Sequence, residues 1–225
     1  MSASAAETAP GAVTQRYLQA VLEGDRRKAF QVLDDARESG MDLETIYVGV
    51  LQPTMREIGR LWQENEITVA DEHLATAITQ AAMAHAFEHV FTWKGETSED
   101  LSLIAACADI ERHEVGLRMI SDLLDLRGWR TTYLGASVPV DSLVAMVYRR
   151  RPTAVALSVS IAPHLPRLRE MIEQIRARVE NPPLILVGGR PFLADPGLAE
   201  RLGADLTAAD AIEAVRLLDD RIRRA

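Results

Sequence analysis

Residues 101–116 read Leu-Ser-Leu-Ile-Ala-Ala-Cys-Ala-Asp-Ile-Glu-Arg-His-Glu-Val-Gly, and this stretch decides the fold. The apolar run Leu101 to Cys107 has the length of a strand and is too short for a helix. It breaks into the polar loop Glu111-Arg112-His113-Glu114, and helical spacing of apolar residues begins at about 115. The same alternation continues to the C-terminus. It predicts strands at Leu101 to Cys107, Arg130 to Leu134, Ala154 to Val159, Leu184 to Val187 and Asp205 to Thr207. Between and after them it predicts helices at 115–127, 140–150, 165–179, 193–202 and 210–223. Short apolar strands separated by helices demand a parallel sheet covered on both faces.

Upstream the pattern differs. Residues 13–93 hold apolar residues at helical spacing and no Val/Ile-rich run bounded by turns, which predicts helices at about 13–23, 25–38, 42–64 and 69–92. Gly24-Asp25 and Gly40-Met41-Asp42 supply stop and N-cap signals, and Thr68-Val69-Ala70-Asp71 is a capping-box pattern. Lys94 to Asp100 is polar and aperiodic and is expected to be a linker, and residues 1–12 an unstructured tail. The expected architecture is therefore a four-helix bundle over 13–93, then a Rossmann/flavodoxin-like five-stranded parallel sheet with helices on both faces over 101–225.

Composition narrows the function. A length of 225 residues fits one large or two small domains, and 48% hydrophobic with 26% charged residues is an ordinary globular composition. A formal charge of -8 argues against wrapping nucleic acid or anionic lipid. No apolar run is long enough to span a bilayer, and the N-terminus has neither the basic nor the apolar region of a signal peptide. A cytoplasmic location is expected. The single cysteine, Cys107, rules out an internal disulfide and a thiolate metal cluster within one chain.

In doubly wound sheets, ligands bind outside the carboxyl ends of the strands. The loop after the first strand puts His113 on that edge, with Glu111 near enough in sequence to take the second ring nitrogen of a metal-ligating imidazole. Gly116 is expected to let the backbone turn tightly into the following helix. The third strand runs into Ser158-Val159-Ser160, and the fourth into Gly188-Gly189, where missing side chains permit close approach of a bulky ligand. There are 41 residues between Gly116 and Ser158 and 27 between Ser160 and Gly188.

These motifs at these spacings resemble the cobalamin-binding domain shared by methionine synthase and the base-off corrinoid mutases, whose signature is Asp-x-His-x-x-Gly, then Ser-x-Leu/Thr/Ser, then Gly-Gly. The resemblance covers nearly all of the second half. Glu111 replaces the usual Asp, keeping the carboxylate and lengthening its reach. The resemblance implies that His113 is the lower axial ligand of cobalt and Glu111 its hydrogen-bond acceptor. It also implies that Ser158 and Ser160 bond to the displaced benzimidazole tail, with Gly188 and Gly189 as the floor of its slot.

In the helical half, Trp62 near the end of the third helix is followed after nine residues by Glu72-His73 in the first turn of the fourth. The intervening loop is expected to bring indole, carboxylate and imidazole to one end of the bundle. Ala77, Ala81 and Ala84 form a smooth stripe along the fourth helix. Trp-x9-Glu-His ahead of a cobalamin domain resembles the light-sensing cobalamin proteins, the family of the carotenoid-gene photoreceptor repressors and AerR-type antirepressors. That resemblance implies that Trp62, Glu72 and His73 cap the upper axial 5'-deoxyadenosyl group. Two departures stand out. No DNA-binding module precedes the bundle in these 225 residues, and Gln63 follows Trp62 where the repressors have a His that can fill the vacated upper position. His73, solvent or another ligand would have to do so here.

The expected function is thus a stand-alone light sensor that binds adenosylcobalamin in preference to methylcobalamin or hydroxocobalamin, breaks the cobalt–carbon bond on illumination, and turns over no substrate. Its signal is expected to pass to a downstream protein or to self-association, with no direct nucleic acid or membrane binding. The main rival is a corrinoid methyl carrier. A cobalamin subunit of an isomerase would need a catalytic barrel for which the chain has no room. Some relatives hold a bilin beside the cobalamin; no motif here decides for biliverdin, and Cys107 on an expected buried strand does not point to covalent attachment.

Overall fold

The computed structural model describes residues 9–90, 101–195 and 197–222. The chain divides into two compact units, Met1–Trp93 and Lys94–Ala225. The expected linker at 94–100 and the last residues of the fourth and final helices fall outside the described residues.

The first unit contains α1 (Pro10–Leu22), α2 (Arg26–Glu38), a π-helical segment at Thr45–Leu51 that leads into α3 (Gln52–Gln63), and α4 (Val69–Val90). Its core includes Tyr17, Leu33, Ile46, Tyr47, Leu51, Ile58 and Met83, all buried. Helix α1 starts inside the expected tail, because Pro10 has a preset φ and no N–H to leave unsatisfied in the first turn. The expected helix 42–64 is not uniform, and Pro53 is the reason. It cannot donate to the carbonyl of Gly49, so the preceding turns widen, and the Thr14 hydroxyl takes over that carbonyl at 2.9 Å. The capping box forms: Asp71 Oδ2 accepts from the backbone N–H (2.8 Å) and hydroxyl (2.6 Å) of Thr68.

The second unit follows the expected strand–helix alternation. Its elements are β1 (Ser102–Cys107), α5 (Val115–Leu126), β2 (Arg130–Gly135), α6 (Val140–Arg150), β3 (Ala154–Ser158), α7 (Leu165–Arg178), β4 (Leu184–Gly188), α8 (Arg190–Ala194), α9 (Leu198–Arg201), β5 (Leu206–Ala208) and α10 (Ala211–Ile222). A single 3-10 turn, Ala162–His164, precedes α7. All strands are parallel in the order β2-β1-β3-β4-β5. Residues Ile104, Val155, Leu157, Ile185 and Val187 form one core with Leu143 and Val147 of α6 and Leu168, Met171 and Ile172 of α7.

The helix expected over 193–202 is split into α8 and α9. Pro191 is the second residue of α8, which follows Gly189, and Asp195, which precedes a proline, leaves helical backbone at φ -140° and ψ 94°.

Strand order positions the site. The chain leaves β1 for β2 on one side and returns to β3 on the other, so the switch point lies between β1 and β3, where such sheets open a crevice at their carboxyl ends. Cys107, Ser158, Gly188 and Ala208 stand at one register level along that edge. A row of small side chains there leaves the rim of the sheet shallow.

Candidate functional site

The loop after β1 and the loop after β3 meet on a single carboxylate. Glu111 is fully buried. Its Oε1 accepts from the backbone N–H of Arg112 (2.8 Å), the backbone N–H of His113 (2.9 Å) and His113 Nδ1 (2.5 Å). Its Oε2 accepts from the backbone N–H of Ser160 (2.8 Å) and from His164 Nδ1 (3.0 Å). Burial alone pushes the acid upward. The hydrogen bonds from His113, Ser160 and His164 outweigh it and hold the carboxyl well below the usual range, so the group is ionised.

An ionised carboxylate only accepts, so His113 Nδ1 is the donor in this bond, and Nε2 is the nitrogen that would ligate a metal. The ring is half exposed. An imidazole oriented by a buried acceptor on one nitrogen is the donor type that binds a transition metal through the other.

The rest of the loop is pinned as well. Ser137 N–H donates to the Glu111 carbonyl at 2.8 Å. Tyr133 at the end of β2 donates its hydroxyl to Glu114 Oε2 at 2.9 Å. Gly135, at φ +74°, makes room for that carboxylate, since a Cβ there would lie 2.6 Å from Glu114 Oε2. His164, Tyr133, Gly135 and Ser137 are therefore positioning residues not assigned from sequence. From sequence, His164 stands after Ser158 and Ser160 on the ligand edge, where it could touch a ligand or belong to a helix-entry turn; its bond to Glu111 needs the strand order before it can be read.

The other residues singled out in this unit sort by geometry. Ser158 ends β3, half-buried, and Ser160 reaches Glu111 through its backbone. A Cβ on Gly188 would meet nothing nearer than the Ala208 carbonyl at 3.9 Å, so its side of the rim is open. Gly189 is different. At φ +119°, a Cβ would strike the Val159 carbonyl at 1.8 Å, so glycine there is demanded by the approach of two loops. Gly116 corrects its expectation. It is the second residue of α5 with ordinary helical backbone and a Cβ there would meet open space, so no tight turn requires glycine. Cys107 is buried, and burial first, then the charges of Glu111 and Glu114, push its thiol upward, leaving a poor nucleophile.

In the helical unit, a turn with Asn65 at φ 58° joins α3 to α4. Trp62 is 42% exposed, as are Val69 (53%) and Leu74 (47%) in the first turns of α4. Glu72 Oε2 pairs with His73 Nδ1 at 2.5 Å, and its Oε1 accepts from the Thr76 hydroxyl at 3.0 Å. Ala77 and Ala84 are exposed and Ala81 is partly so. Large apolar side chains are thus exposed on both sides of this turn, and Glu72 in the same stretch is held by His73 and Thr76.

Residues 13–86 and 101–216 each match a model described as a B12 binding domain, the second alone spanning more than half of the chain. The chain belongs to the B12-binding domain family. It is 32% identical over 169 residues to the HTH-type transcriptional repressor CarA of Myxococcus xanthus, covering 75% of this chain and 54% of that protein, so it spans about half the length of that relative. It is 22% identical to trimethylamine corrinoid protein 1 of Methanosarcina acetivorans, over 88% of this chain and 92% of that one. Its fold matches the structure of the monomethylamine corrinoid protein of Methanosarcina barkeri with a TM-score of 0.78 and 18% identity, over 91% and 96% of the two chains.

Cobalamin suits the donor set of the α/β unit: a half-exposed imidazole oriented by a buried carboxylate, on a rim kept low by Ser158, Gly188 and Ala208. Among the described residues no helix is long and apolar enough to cross a membrane, and no group of three or more His, Cys, Asp and Glu could form a separate metal site.

Proposed function

We propose that this chain is a cobalamin-based light sensor that binds adenosylcobalamin base-off, with His113 as the lower cobalt ligand. The Trp62 indole, 42% exposed near the end of α3, carries the reading, because a half-exposed tryptophan contributes little to the helical core and suits the cap of a large upper ligand. The 32% identity to the CarA repressor supports it. Bound adenosylcobalamin supplies a cobalt–carbon bond that visible light breaks. The protein's part is to orient and shield: Glu111 fixes His113, and Ser158 and Ser160 line the slot for the nucleotide tail with Gly188 and Gly189. Trp62, Glu72 and His73 hold the adenosyl group. Its loss removes what they grip and shifts a conformational balance, read out as a change in self-association or in binding of a partner protein.

A second reading, a corrinoid methyl carrier, is favoured by the end-to-end similarity to the trimethylamine corrinoid protein. The two readings differ at the upper face, which a methyl carrier must leave open to its exchange partners. The test is reconstitution with adenosylcobalamin in the dark, followed by absorbance and gel filtration before and after illumination. The light-sensor reading expects the spectrum to change and the elution volume to move; unchanged elution with photolysis no different from that of free cofactor would favour the methyl carrier. Trp62→Ala is expected to reduce the preference for adenosylcobalamin over methylcobalamin by about tenfold, the effect of losing roughly half of a tryptophan's buried apolar contact. Equal preference in wild type and variant, measured by titration, would remove the cap from the account.

A further inference from the structure

The turn that delivers Glu111 carries a residue that folding alone does not favour. Ala108 to Glu111 is closed by the Glu111 N–H on the Ala108 carbonyl at 2.8 Å, and Ile110, its third residue, has φ 70°. Positive φ at that position suits Gly or Asn, and for a β-branched residue it is a steric outlier. Burial gives no compensation, because Ile110 is 51% exposed. Two further aliphatic side chains stand out on the same edge: Ile161 after β3, 38% exposed, and Leu193 in α8 after β4, 49% exposed. Strands β1, β3 and β4 are neighbours, so the segments that follow three adjacent strands each hold an aliphatic group in solvent.

Backbone strain and exposed apolar surface are both unfavourable in isolation, and their coincidence on the His113 loop points to a ligand. We propose that Ile110 is a corrin-contact residue, its strained backbone holding an aliphatic side chain against the lower face of the macrocycle. A corrin is broad, flat and apolar over its faces, which is the shape three separated aliphatic groups around an imidazole can support. Ile161 and Leu193 complete the support. The inference rests on cobalamin binding and is independent of light sensing.

The test compares wild type, Ile110→Gly and Ile110→Val in the full chain, by thermal unfolding without cofactor and by titration with cobinamide, a corrin that lacks the nucleotide tail. Ile110→Gly is expected to raise the unfolding midpoint of the cofactor-free protein by about 2–4 °C, since it relieves the strain. It is also expected to weaken cobinamide binding about tenfold by removing the contact. Ile110→Val, which keeps both strain and contact, is expected to bind within about threefold of wild type. Binding by Ile110→Gly as tight as wild type, or a lowered midpoint, would overturn the inference alone. Wild type that binds neither cobinamide nor hydroxocobalamin would overturn the cobalamin assignment and the inference with it.

Discussion

Glu111→Gln is expected to destabilise the α/β unit by about 1–3 kcal/mol, the cost of leaving buried donors without an acceptor. The carboxylate is fully buried and gathers donors from two loops. An amide of the same shape keeps one acceptor oxygen and puts an NH2 group against the N–H of Ser160 or the imidazole donors, so donors face donors in a dry site. Because the folded protein holds Glu111 well below the ordinary carboxyl value of 4.5, the charge adds stability that is fully present above that value and is lost as pH falls through the depressed one. The gap between wild type and variant should therefore be widest at neutral pH and begin to close below about pH 4.3. Urea unfolding at pH 7 and pH 4 measures both; a difference under about 0.5 kcal/mol at pH 7, below the cost of unsatisfied buried donors, would mean that Glu111 does not tie the loops together.

His113→Ala is expected to weaken cobalamin binding by about 100-fold or more, since loss of a partner that merely orients a metal ligand already costs 10–100-fold. It should leave the fold intact, because the ring is half exposed and Glu111 retains its backbone donors and His164. Any cofactor still bound should have a spectrum without histidine ligation. Titration and absorbance check both, and a variant with wild-type affinity and spectrum would place the cobalt elsewhere.

Much of this was legible in the sequence because periodicity and turn chemistry are local. Leu101 to Cys107, Ala154 to Val159 and Leu184 to Val187 read as buried strands from their length and branching, and the helices between them fixed a parallel sheet. Boundaries failed where local chemistry has long-range support. The π-helical turn before Pro53 is sustained by Thr14, 35 residues from Gly49, and the start of α1 at Pro10 is not visible as periodicity. In the site, Glu111 and His113 were legible as neighbours in sequence. His164 was not, because its 3.0 Å bond to Glu111 exists only once β3 lies beside β1. Gly189 and Gly116 show the limit of reading glycine from type alone: the first is demanded by the Val159 carbonyl, while no backbone or packing constraint holds the second.

The central claim, ligation of cobalt by His113 in place of the benzimidazole tail, is tested most directly by electron paramagnetic resonance of the Co(II) cobalamin complex. The protein is labelled with nitrogen-15 histidine and the cofactor left unlabelled. Ligation by the protein predicts that each cobalt line splits into a doublet, and that the doublet is absent in His113→Ala. A triplet, from the unlabelled benzimidazole nitrogen still bound to cobalt, would contradict it.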